Sequence, residues 1–274
     1  MLVSACGGRV PAVRVPEAAP VAVEPIDLLA PPWRLGNGRA ERAQRIVVAA
    51  QLTSRVDSLT RVDSIASALE VRWGDGESGS SSRALPVHVT RFAVRGALDT
   101  LWRTPPGVMT PFALSATLAP GAVPLLCVPA AAACLPAQLA AAQGWQESWV
   151  GLPAALERGT TWSDSTNYTV TRDSIPLRVL AVRHFIVREA VLREGAVVVL
   201  IDRRSTQALT GEGRQFGEVV RITGDGKGVM RLEVALANGA VLRGEGTAVL
   251  TLTLVGRRRT QELTQSSHLT ITAP

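Results

Sequence analysis

Three histidines, His88, His184 and His268, are the side chains best suited to holding a metal or moving a proton near neutral pH. Each lies in a strand-like stretch, far in sequence from the others. None has a His, Cys, Asp or Glu two or four residues away, the local pairing that usually seeds a metal site. They read as sheet histidines, and no metal or cofactor is expected. Serines and aspartates are abundant, but the G-x-S-x-G turn that presents a nucleophile is absent. Two glycine-rich runs, Gly211-Glu212-Gly213-Arg214 and Gly224-Asp225-Gly226-Lys227-Gly228, invite a phosphate-loop reading. That loop requires Ser or Thr after the lysine and then a helix. Gly228 follows Lys227 instead, and a strand pattern comes next, so both runs read as hairpin or bulge glycines. No catalytic residue is expected; a hydrolase is the least favoured reading.

The chain has three cysteines. Cys127 and Cys134 flank Val-Pro-Ala-Ala-Ala-Ala, a spacing that fits neither a redox nor a zinc C-x-x-C motif. They read first as a local disulfide stapling the loop, with two free buried thiols as the alternative. That leaves Cys6. Val3-Ser4-Ala5-Cys6 resembles the lipobox of bacterial lipoproteins, in which two small residues precede the cysteine that takes a diacylglycerol. Residues 1–6 then read as the remnant of a signal peptide and its lipobox. Residues 7–44 are Pro- and Ala-rich without helical or strand periodicity and read as a semi-extended tether. Gly7 follows the cysteine, with no aspartate to retain the protein in an inner membrane. The resemblance implies an outer-membrane lipoprotein facing the periplasm, with the membrane as a partner through lipid on Cys6.

From residue 45 the pattern turns to strands. The charge is +6, almost all of it from arginine, with Lys227 the only lysine. The arginines are scattered and alternate with acids, so they read as solvated strand faces and not as a nucleic-acid surface; Arg257-Arg258-Arg259 reads as a charged turn. No apolar run approaches the roughly 20 residues of a membrane-spanning helix. Strand-like segments run over 46–53, 55–65, 85–95, 166–173, 176–188, 196–204, 216–223, 229–236, 240–255 and 260–272. Segment 55–65 sets apolar residues between polar ones, as a half-buried strand does, and in 240–255 the alternation is between β-branched residues and Leu, which implies cover on both faces. In 85–95 alternation places His88, Thr90, Phe92 and Val94 on one side. GDGESGSSSR, residues 74–83, reads as a loop, and Ala237-Asn238-Gly239 as a tight hairpin. Ala137–Gln143 is the one helix candidate, stopped by Gly144.

The expected fold is therefore mainly β: a strongly curved antiparallel sheet or incomplete β-barrel with one short central helix. Its single domain, 45–274, has two halves, 45–126 and 159–273, joined by a Cys-containing helical segment. The order of strands, helix and strands resembles the half-barrel lipoprotein carriers of the periplasm. That resemblance implies a non-enzymatic module that binds a lipid, a hydrophobic peptide or an envelope partner. A purely structural lipoprotein with a filled core is the alternative. Residues 122–139 carry no charge. They read either as a plug under the sheet or as an apolar loop that dips into the bilayer.

Overall fold

The structure, a computed structural model, describes residues 29–34, 43–56, 58–72, 82–96, 98–110, 112–117, 146–147, 150–172, 175–215, 218–257 and 259–273. Twelve strands are defined among them: β1 (Trp33–Arg34), β2 (Ala43–Val56), β3 (Leu59–Arg72), β4 (Ser82–Arg95), β5 (Phe112–Thr117), β6 (Ala155–Leu156), β7 (Thr161–Arg172), β8 (Ile175–Arg193), β9 (Ala196–Gln215), β10 (Glu218–Ala235), β11 (Val241–Val255) and β12 (Thr260–Thr272). Ten of them form one antiparallel sheet in the order β5-β4-β3-β2-β12-β11-β10-β9-β8-β7. β1 and β6 form a separate two-residue ladder, in which Trp33 pairs with Leu156.

Alternation sets the faces. In β8 every second residue from Ile175 to Val187 is buried except Ala181, which is half-buried, while Arg178, Leu180 and His184 between them are exposed. Sharp turns then reverse the chain. Glu194 and Gly195 join β8 to β9 with φ of 52° and 82°, the two left-handed residues of a type I′ hairpin. The Ala-Asn-Gly hairpin forms as expected, with Gly239 at φ 72° and Asn238 Oδ1 accepting from the Ala240 amide at 3.0 Å.

Several expectations need correction. The sheet joins the first and last strands directly through β2 and β12, so the two halves of the chain form one sheet. That sheet is open, with β5 and β7 at its edges, and it is neither closed nor strongly curled. It does not need to curl to cover its face, because Trp33, Val108, Val150, Leu152 and Leu156 pack on it and fill one part of it. All the named elements are strands; the expected helix at 137–143, and the uncharged segment 122–139, lie outside the described residues. The glycine runs are not hairpins: 211–214 lies within β9, and 224–228 lies within β10. Glycine is used there because a neighbour occupies the side-chain position. A Cβ on Gly224 would lie 2.7 Å from the carbonyl oxygen of Thr251. In β4 a bulge opposite Ala68 and Leu69 shifts the register. It leaves His88 and Thr90 exposed and buries Val89 beside Phe92.

Candidate functional site

Pairing across the sheet places inward-facing residues in transverse rows. One row runs Trp162, Phe185, Arg203, Met230, Gly246, Leu269, Ala50, Ile65 and Val94. Apart from Arg203 it is apolar or small, and it belongs to a core that includes Ile201, Leu232 and Ile271. The next row is different. From β7 it passes through Asp164, Arg183, Ser205 and Gly228. It continues through Ala248, Ser267, Leu52 and Asp63. The row after that includes Thr166, Gln207, Gln265, Ser54 and Arg61. Beyond it the face turns apolar again at Val179, Leu209, Leu252 and Leu263. A belt two residues wide, polar or small except at Leu52 and Leu250, therefore crosses a face that is apolar on both sides of it.

At its β7 end the belt is buried and charged. Arg183 donates to both oxygens of Asp164, at 2.7 and 2.6 Å, and to the carbonyl of Gln146 at 3.0 Å. The side chains of Arg183 and Asp164 are only 6% and 1% exposed, so each charge depends on the other for solvation. Arg203 donates to the carbonyl of Glu147 at 2.8 Å and to its carboxylate. Burial works against the charged form of Glu147, but Arg203 and Arg183 beside it outweigh that and hold its carboxyl below the usual range. Trp162 stacks on Phe185, with ring centroids 5.0 Å apart. A cavity of about 20 Å³ lies between Gln146, Thr166, Arg183 and Gln207; it has room for one water. Two guanidiniums thus clasp the successive carbonyls of Gln146 and Glu147. At this end both guanidiniums are paired with carboxylates, while Arg203 Nε and Trp162 Nε1 are buried without a hydrogen-bond partner among the described residues.

The β3 end opens instead. A groove of about 480 Å³ is bounded on the sheet by Leu52, Arg61, Asp63, Ile65 and Val94, and on the opposite side by Gly96, Asp99 and residues 103–106. The loop is pinned where Val94 and Arg103 exchange backbone hydrogen bonds at 2.8 Å, and Thr104 Oγ1 donates to the Phe92 carbonyl at 2.9 Å. The groove is broadly open to solvent, and its walls combine apolar side chains with a few charged ones.

The residues singled out in the sequence do not meet here. His88, His184 and His268 are exposed on β4, β8 and β12. His268 Nε2 lies 3.3 Å from Glu245 Oε1. Ser163 Oγ and His184 Nδ1 lie 2.6 Å apart, but no carboxylate among the described residues reaches the other ring nitrogen, and Arg204 is the cross-strand neighbour. The pair lacks the third member of a triad. Among the described residues no three His, Cys, Asp or Glu converge as a metal site. Arg257 and Arg259 flank the turn between β11 and β12. Cys6, Cys127 and Cys134 lie outside the described residues. The groove residues were missed because 55–65 read as a single strand, whereas the chain reverses between Val56 and Leu59; that reversal brings Asp63 beside Leu52. The residue pair Asp57-Ser58, both common in turns, was the available signal. No family model and no curated protein matches the chain.

Proposed function

We propose that this protein is a non-enzymatic binding module of the bacterial envelope, whose groove between β2, β3, β4 and the 96–106 loop holds a small hydrophobic or amphiphilic ligand. The observation that carries the reading is the groove itself: about 480 Å³, walled by Leu52, Ile65, Val94, Pro105 and Pro106, with charged side chains around it. Apolar walls supply affinity through dehydration, and the polar groups orient the guest. In this reading the lipobox cysteine, Cys6, anchors the module to the outer membrane facing the periplasm, and the groove is presented to lipid or hydrophobic peptide near that surface. The filled face under Trp33, Val150, Leu152 and Leu156 favours a second reading for that part of the sheet, a purely structural role.

The test is mass spectrometry of organic extracts from natively purified full-length protein, together with displacement of a fluorescent fatty acid. Wild type should carry lipid and bind the probe, and Ile65→Trp, which fills the groove, should do neither while its circular dichroism overlays that of wild type, although its packing against the core lowers the melting temperature. Absence of lipid and of probe binding in wild type would overturn the proposal.

A further inference from the structure

The walls of the groove also indicate the headgroup of its guest, an inference that rests on the groove being the binding site. On the sheet side the groove straddles the edge of the polar belt. Ile65 and Val94 are paired in the apolar row, Leu52 and Asp63 in the next, and Arg61 lies one row further. On the loop side stand Asp99 and Arg103. The two carboxylates converge on the bare backbone of Gly96: a Cβ there would lie 3.1 Å from Asp99 Oδ2 and 3.6 Å from Asp63 Oδ1. Each carboxylate carries an arginine of its own segment. Arg61 Nε lies 2.8 Å from Asp63 Oδ2, and Arg103 Nη2 lies 3.0 Å from Asp99 Oδ1.

The charges are layered by depth. The aspartate side chains are 21% and 35% exposed, whereas their arginines are 69% and 75% exposed. Along β3 the order is Ile65, Asp63, Arg61, that is hydrocarbon, carboxylate, guanidinium, and in each ion pair the guanidinium is the more exposed member. Exposed ion pairs of this kind contribute little to stability, so the arginines can exchange partners at low cost. A guest that matches the layers has an apolar chain, then a cation, then an anion.

We propose that the groove selects a zwitterionic amphiphile of betaine order, with its ammonium next to the chain and its anion outermost. The chain lies along Ile65, Val94, Pro105 and Pro106, the ammonium meets Asp63 and Asp99, and the terminal anion takes Arg61 and Arg103. A fully anionic guest would set its charge against the two carboxylates. A phosphocholine guest presents the same two charges in the reverse order, which puts its phosphate against the aspartates.

The test titrates the full chain, by calorimetry below the critical micelle concentration, with four guests of identical dodecyl chain. These are the sulfobetaine, the phosphocholine, the sulfate and the maltoside. The sulfobetaine should bind tightest, about tenfold above the phosphocholine and the sulfate, the size of one charge-assisted contact. Asp63→Asn and Asp99→Asn, each checked for an unchanged melting temperature, should lower sulfobetaine affinity by a similar factor and leave the maltoside unchanged. Arg61→Gln, an exposed substitution, should weaken the sulfobetaine in the same way. Equal binding of all four guests, or preference for the phosphocholine or the sulfate, would overturn the headgroup assignment and leave the groove in place. Binding of none would overturn the groove reading itself.

Discussion

Replacing Asp164 with alanine strands Arg183 on the buried face of the sheet. The two side chains are 6% and 1% exposed and share two hydrogen bonds. After the substitution Arg183 loses its bidentate partner and keeps the Gln146 carbonyl, the face of the Phe185 ring and the nearby Glu147 carboxylate. Removing one member of a buried pair costs about 3–5 kcal/mol, because the remaining ion stays desolvated. These remaining contacts put the expected loss at the lower end, about 3 kcal/mol. For a chain of this size that corresponds to a fall of roughly 6–12 °C in melting temperature. Urea unfolding followed by circular dichroism measures the same loss as a shift in midpoint at constant slope. The double variant Asp164→Leu/Arg183→Met removes both charges and should return to within about 1 kcal/mol of wild type, or exceed it. An Asp164→Ala loss below about 1 kcal/mol would refute the claim that this end of the belt is a desolvated ion pair. So would a double variant no more stable than the single one.

Other outcomes follow from neighbouring contacts. The carboxyl of Glu147 is held below its ordinary value of 4.5, so its contribution is complete above that value and lost as pH falls through the lower folded one. Wild type should therefore lose more stability than Glu147→Gln as the pH falls below 4.5; parallel acid titrations of the two would disprove it. Gly246→Val should cost about 1–3 kcal/mol by thermal melting, since its Cβ would lie 2.8 Å from Met230 Cβ. Trp33→Ala should cost about 3–5 kcal/mol and the near-ultraviolet signal of a packed tryptophan, because Trp33 seals the ladder with Leu156 against the core. Metabolic labelling with a fatty-acid analogue should mark the full-length gene product and miss Cys6→Ala.

Much of the sheet was legible in the sequence because burial on one face imposes a period of two. The alternation in 176–188 identified β8, and Ala237-Asn238-Gly239 identified its hairpin. The run 240–255 also followed the pattern, with Leu252 buried and Val249 and Val255 exposed. What misled was glycine. Glycine runs usually punctuate a chain, so Gly224–Gly228 split one strand of β10 into two. In the folded sheet those glycines make room for what crosses them, as Gly224 does for the Thr251 carbonyl. The bulge in β4 had no sequence signal at all. It follows from register against β3, and it is the reason Phe92 and Val89, three apart, share the buried side.

The belt was harder to read for a deeper reason. Each of its residues looks ordinary within its own strand. Asp164 sits in a Thr- and Ser-rich stretch, Arg183 interrupts an alternating pattern once, and Ser267 and Gln265 read as surface residues. Their alignment exists only across strands, and register between distant strands depends on turn lengths and bulges that local periodicity does not carry. A row from Asp164 to Asp63 joins eight strands, so a one-residue slip anywhere would send part of it to solvent. A sheet selected for stability alone would fill such a row with Val and Leu, since buried ion pairs rarely outperform packed hydrocarbon. Here the row stays polar or small from β7 to β3 except at Leu52. At its closed end Arg183 holds the Gln146 carbonyl, and Arg203 in the adjoining row holds Glu147. At its open end the same polarity emerges beside Ile65 and Val94 as Asp63 and Arg61. In the proposed reading, oil-lined space next to fixed charge is what the amphiphile requires, and the open end of the belt, not any single motif, would supply it.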